Sequence, residues 1–165
     1  MNYKFIPNNI NNNNNYLLLI MNDYLNYLLL IIPLIAIYTT SIICPVSSKS
    51  GNVVPFRPPG YIFAIIWPIL LLLFGFAWYE INKFPDRKLI NNTIFILLII
   101  FLCLWQVFYS CLNNKISSIY IIFLALLLST MAYTVSGLNS KLAICPLIIW
   151  LIFAGLLNCF EVIKN

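Results

Sequence analysis

Five stretches of this chain, each close to twenty residues long, carry no Asp, Glu, Lys or Arg in their central part: Tyr24–Ile43, Tyr61–Tyr79, Thr93–Leu112, Ser118–Leu138 and Leu142–Ile163. A run of that length is enough for a helix to cross the hydrocarbon of a bilayer. Lipid offers no partner for a bare backbone N–H or C=O, so such a segment must satisfy its own hydrogen bonds as a helix. The expected fold is an all-α integral membrane bundle of five transmembrane helices. It occupies residues 24–165 behind an Asn-rich, low-complexity tail at 1–23 that is expected to be disordered. Composition closes off the soluble alternative. The chain is 62% hydrophobic and 8% charged, against about 25% charged in a soluble domain, and its mean hydropathy is +0.95.

The charges sit between the spans, at Lys49 and Arg57, at Glu80, Lys83, Asp86, Arg87 and Lys88, at Lys115 and at Lys141. The net charge of +5 forms no basic block, so no nucleic-acid partner is expected. Five spans put the termini on opposite sides. Lys4, Lys83, Arg87, Lys88 and Lys141 face Lys49, Arg57, Lys115 and Lys164, a difference of one that leaves orientation, and the identity of the membrane, undecided. The tail has neither the cleavage site of a signal peptide nor the arginines of a typical mitochondrial presequence.

The chain has no histidine, which removes imidazole-held zinc or haem and any His-based triad. Its five cysteines, Cys44, Cys103, Cys111, Cys145 and Cys159, form no CxxC and lie in or beside apolar runs. They read as small buried apolar residues, and the odd count argues against a complete disulfide framework. No catalytic residue and no metal ligand is expected, and no cofactor is required.

Residues 56–71, FRPPGYIFAIIWPILL, form the entry to the second span. Each proline fixes its own φ and pushes the residue before it out of the helical region, so Phe56–Pro59 is expected to be extended and stiff, with the helix opening just behind it. Arg57 is thereby held at the membrane mouth. Two roles fit it: an anchor for lipid phosphate, or a counter-charge for an anionic ligand. At about 100° per residue, Phe63, Trp67, Phe74 and Trp78 form one aromatic stripe on this helix. Pro68 is expected to kink the helix and open space between neighbours. Trp105 and Tyr109 lie one turn apart on the third span, and Trp150, Phe153, Ala154, Leu157 and Asn158 share a face of the fifth. Ordinary bundle packing is the rival explanation for these aromatics.

PPGYIF followed by Trp67 and Gly75 resembles the second-helix signature of the TspO/MBR family, the tryptophan-rich sensory proteins that include the mitochondrial translocator protein. CPLIIWLIFAGLLNCFEVIKN resembles that family's fifth helix at Pro146, Trp150, Phe153, Ala154, Leu157, Asn158 and Asn165. The resemblance covers about positions 30–165. Three departures stand out: Leu147 replaces the family Tyr after the fifth-helix proline, Leu102 replaces the Asn three residues before the third-span Trp, and the Trp-Tyr before the proline pair is missing.

The resemblance implies a membrane sensor or receptor that takes a flat hydrophobic ligand, a porphyrin or haem-type tetrapyrrole, between its helices. The ligand-binding set is then Arg57, Pro58, Pro59, Phe63, Trp67, Trp105, Tyr109, Trp150, Phe153, Ala154 and Asn158. A sterol fits less well, because Phe160 stands between Leu157 and Lys164 where the family's cholesterol motif has Tyr, although Lys115, Tyr120 and Leu124 fit a reversed form. Light-dependent porphyrin breakdown is linked to some members; nothing in the residues adds to it, and a non-enzymatic role is the expectation. The alternatives are passive transport of an apolar ligand and a structural, partner-binding role. A proton- or ion-coupled transporter would hold an ionisable group inside the bundle. Expected partners are membrane lipids and the small ligand, with a homodimer left open. The small-residue ridge Ala125, Ser129, Ala132 and Ser136 suits close helix contact and is expected to pack inside the monomer.

Overall fold

A computed structural model describes residues 26–47, 50–83 and 88–164. The expected tail at 1–23 lies outside these residues, as do Lys49, Asp86 and Arg87. The described residues are helical, with no strand among them. The helices are α1 (Ile32–Ile43), α2 (Gly60–Asn82), α3 (Lys88–Gln106, continued by a wider π turn over Val107–Cys111), α4 (Lys115–Val135) and α5 (Leu138–Lys164). Four of these, α2, α3 with its π turn, α4 and α5, are long and apolar enough to cross a membrane; α1 is apolar and shorter, at 12 residues.

The stretch expected to be the first span is not one continuous helix. A helical turn at 26–28 is followed by tight i→i−3 bonds from the N–H groups of Leu29, Leu30 and Ile31, and the regular helix resumes at Ile32. Pro33 explains the break: it has no N–H to donate, and its ring clashes with the carbonyl one turn back. The break is used in packing. The Leu29 and Leu30 carbonyls lie directly against Gly75 of α2, where a Cβ would overlap the Leu30 carbonyl.

Helix α4 packs between α3 and α5, α2 lies against α5, and α1 covers α2 and α3. On α4, Ala125, Ser129 and Ala132 are fully buried and Ser136 nearly so, so the small-residue ridge packs inside the monomer. At the end of the bundle away from Arg57, α2 and α3 meet through stacked rings: Phe74 on Phe95 (centroids 5.2 Å, planes 6° apart) and Trp78 on Phe95 (5.9 Å, 16°). Trp78 Nε1 donates to Asn92 Oδ1 (2.7 Å), and Asn82 Nδ2 donates to the same oxygen (2.7 Å). Helix α5 closes on α2 there, with Ser140 Oγ donating to the Ala77 carbonyl (3.1 Å).

Two expectations need correction. Cys44 and Cys111 form a disulfide, with Cα atoms 5.2 Å apart across 67 residues of sequence, and Cys145 is exposed. The pair is made by tertiary proximity between the end of α1 and the π turn, which spacing along the chain does not express. The aromatic stripe on α2 also serves two environments, because Phe74 and Trp78 are buried in the core while Phe63 and Trp67 face open space.

Candidate functional site

The entry to α2 is built as its prolines dictate. Pro59 is the N-cap, with φ −54° and ψ 147°, and the helix begins at Gly60. Ahead of it, residues 50–59 include successive turns, with the Val54 N–H donating to the Gly51 carbonyl (3.0 Å) and the Arg57 N–H to the Val54 carbonyl (3.2 Å). This segment forms a lid across one end of the bundle. Beneath it lies a cavity of about 830 Å³, bounded by α1, α2, α3 and α5. That volume is in the range of small-molecule sites.

The cavity wall is aromatic. Trp67 lies 6.0 Å from Trp105 and 6.4 Å from Trp150, centroid to centroid, the second pair meeting edge to face at 88°. Phe63 meets Trp150 at 5.5 Å, and Tyr109 stacks on Trp105 at 5.4 Å. Offset and edge-on pairs of this kind are the favoured aromatic geometries. Of the residues expected at the site, Arg57, Pro58, Pro59, Phe63, Trp67, Trp105, Tyr109, Trp150, Ala154 and Asn158 line this one cavity. Phe153 is not among the lining residues; it backs Trp150 at 5.4 Å. Leu102 lines the wall and Leu147 is fully buried away from it, so only one of the two aliphatic departures removes a polar group from the cavity.

Arg57 is half-buried at the mouth. Its Nη1 donates to Asn52 Oδ1 (2.9 Å), and its guanidinium carbon lies 5.9 Å from the Phe63 ring centre. Its side chain crosses Gly51, where a Cβ would crowd Cδ at 3.1 Å and where φ is +71°. Glycine alone meets both conditions without strain. Among the described residues no carboxylate pairs with Arg57. The indole N–H groups of Trp105 and Trp150 and the amide nitrogen of Asn158 also have no hydrogen-bond partner. All three atoms are enclosed by neighbours, so a ligand reaches them only if side chains shift.

The lid is held by a carboxylate that sequence reasoning passed over. Glu161, 4% exposed, accepts from the Gly51 N–H through Oε1 (2.8 Å) and from the Tyr109 hydroxyl through Oε2 (2.7 Å). Lys115 Nζ lies 3.7 Å from Oε1, donates to the Tyr109 carbonyl (3.0 Å) and sits 3.4 Å from the centre of the Tyr109 ring. Two further contacts secure the lid: Phe56 meets Phe160 edge to face at 5.0 Å, and Gln106 Nε2 donates to the Cys44 carbonyl (2.9 Å). A signal for Glu161 was present. It is the sole acidic residue of α5 and one of only four in the chain, and an ionisable group at the edge of a span needs a partner. No comparable signal marks Gly51, Gln106 or the bonded cysteines.

The TspO/MBR family model matches residues 27–162, a stretch that holds the lid and both motif-bearing helices. No curated protein matches the chain.

Proposed function

The chain belongs to the TspO/MBR family, and from that premise we propose that it binds a flat, largely apolar tetrapyrrole with carboxylate groups in the lidded cavity, as a membrane sensor or receptor. This is a membrane protein built as a helical bundle. The reading includes five crossings, the first made by residues 26–43.

The observation that carries the reading is Arg57. A half-buried guanidinium at the mouth of an aromatic cavity, without a carboxylate partner among the described residues, matches a ligand that is apolar over its faces and anionic at its rim. In this reading Trp67, Trp105 and Trp150 supply ring faces, with Tyr109 and Phe63 beside them and Phe153 behind Trp150. Pro58 and Pro59 keep Arg57 from swinging away, while Ala154 and Asn158 shape the α5 wall. A lid anchored through Glu161 favours retention of a ligand over its free passage.

The test is saturable quenching of tryptophan fluorescence by protoporphyrin IX in nanodiscs, compared with its neutral dimethyl ester. Arg57→Ala is expected to weaken the diacid more than the diester, since a charge-assisted bond contributes about twice what a neutral one does. Linear, unsaturable quenching by both compounds would mean that porphyrin only partitions into lipid.

A further inference from the structure

We propose that the Cys44–Cys111 disulfide is a redox clasp on the lid, so that ligand exchange at the cavity is slow when the pair is oxidised and faster when it is reduced. The argument starts from where the bond sits. Cys44 caps the C-terminus of α1, on the chain side that leads to the lid. Cys111 ends the π turn that carries Tyr109, and Tyr109 holds the Glu161 carboxylate that in turn holds Gly51. One covalent bond therefore joins the hinge of the lid to the strut of its latch.

Much of the buried core lies outside that bond. The core runs through Phe74, Phe95, Leu98, Ile122 and Leu151, away from the lid. Helix α4, which carries neither cysteine, packs against both α3 and α5. Opening the disulfide is expected to loosen the mouth and leave the bundle assembled. Other restraints stay on this end of the bundle, among them the Gly51–Glu161 hydrogen bond, the Phe56–Phe160 contact and the Gln106 bond to the Cys44 carbonyl. Loosening is therefore graded.

The bond is also accessible in the required sense. Cys111, at the very end of a span, is exposed and Cys44 is 3% exposed, so Cys111 is the side from which a reductant would attack. A thiolate of a dithiol attacks that sulfur, and the Cys44 sulfur leaves and takes up a proton. The reductant's second thiol then displaces Cys111. Two electrons and two protons pass from the dithiol to the cysteines, and the reductant closes as a cyclic disulfide. Disulfides persist where the surroundings are oxidising, so the state of the lid follows the redox poise of the aqueous side it faces.

The release part of the test rests on the porphyrin reading above; amide exchange of the lid does not, and this separates the two. Full-length protein in nanodiscs is treated with dithiothreitol or left oxidised. Maleimide labelling is expected to find three thiols before reduction, Cys103, Cys145 and Cys159, and all five after it. Reduction is expected to speed amide exchange across residues 50–58, and to speed protoporphyrin IX release about two- to tenfold, the size of losing a restraint of hydrogen-bond strength. The C44S/C111S double variant is expected to show the fast values with and without dithiothreitol, and Cys103→Ser the wild-type response. Five reactive thiols before reduction would overturn the proposal, and so would lid exchange that is unchanged once reduction is confirmed by labelling. If porphyrin does not bind, lid exchange alone decides. Neither comparison of oxidised with reduced wild type needs the double variant to fold.

Discussion

Toward the lid, α2 carries Phe63 and Trp67; beyond Pro68 the same face carries Phe74 and Trp78, and the two pairs end in opposite surroundings. The inner pair is stacked flat on Phe95 and fully enclosed. The outer pair meets other rings largely edge to face and lines a cavity. Aromatic content does not separate the two halves; what lies beside the rings does. In the closed half Gly75 and Ala77 let the backbone of the first span and the start of α5 come against α2. In the lidded half the small residues Ala64 and Ala154 border the cavity, and the lid, not a helix, covers it. A bundle can thus use one aromatic stripe as core at one end and as a cavity wall at the other.

The indole N–H groups follow the same division, although the Asn82 and Asn91 side-chain oxygens of the closed half are unpartnered too. Trp78 has its hydrogen bond to Asn92, while the Trp105 and Trp150 N–H groups have none. Each unpartnered buried donor costs about 1–3 kcal/mol. A ligand able to accept hydrogen bonds would offset part of that cost in the lidded half after modest rearrangement.

The sharpest way to break this contrast is a matched truncation. Phe95→Ala removes the ring on which both Phe74 and Trp78 stack and should cost about 3–5 kcal/mol, read as thermal unfolding in detergent. Trp105→Ala enlarges a space that already exists and should cost clearly less. Equal losses would mean the two halves are packed alike. Next is Gly75→Ala. The added methyl meets backbone carbonyls that cannot rotate away, so a loss near the upper end of about 1–3 kcal/mol is expected. An unchanged melting temperature would show that the first span does not lie where the structure has it.

On the lidded side, Glu161→Gln keeps the shape of the latch and removes its charge. Exchanging charge-assisted hydrogen bonds for neutral ones should cost about 1–2 kcal/mol. Amide exchange should rise over residues 50–58 and stay level in the stacked half; a uniform rise would make Glu161 a general stabiliser and not a latch. The smallest effect is a difference between two identical substitutions. Trp78→Phe loses a hydrogen bond and Trp150→Phe loses an unpartnered donor, so the first should be the more destabilising by about 0.5–1.5 kcal/mol. Trp150→Phe should instead lower porphyrin affinity about two- to twelvefold, the value of one aromatic pair beyond burial. A reversed order of stabilities would sink the assignment of Trp78 to the core and Trp150 to the wall.

Much of this molecule is legible along the chain. Partition into lipid is set by each residue and its near neighbours, so the apolar runs mark the long helices. The helix start behind Pro58 and Pro59 is equally local, because ring closure sets φ whatever the rest of the chain does. Helical periodicity put Trp150 and Asn158 on one face, and the two motifs led to the family. The boundaries moved by a few residues, and Pro33 divided the first span, which tertiary context allows by giving the freed carbonyls a glycine to lie against.

Pairings between distant residues were decided only in three dimensions. The Cys44–Cys111 bond spans 67 residues, the Tyr109–Glu161 bond 52 and the Gly51–Glu161 bond 110. No local preference of cysteine, glutamate or glycine encodes such a partner. Each pairing exists because the packing of α1, α3 and α5 brings the ends of those helices to one rim. The same packing decides which part of the aromatic stripe is filled and which is left open, since a ring's environment depends on how closely neighbouring helices approach, and that is a property of the whole bundle.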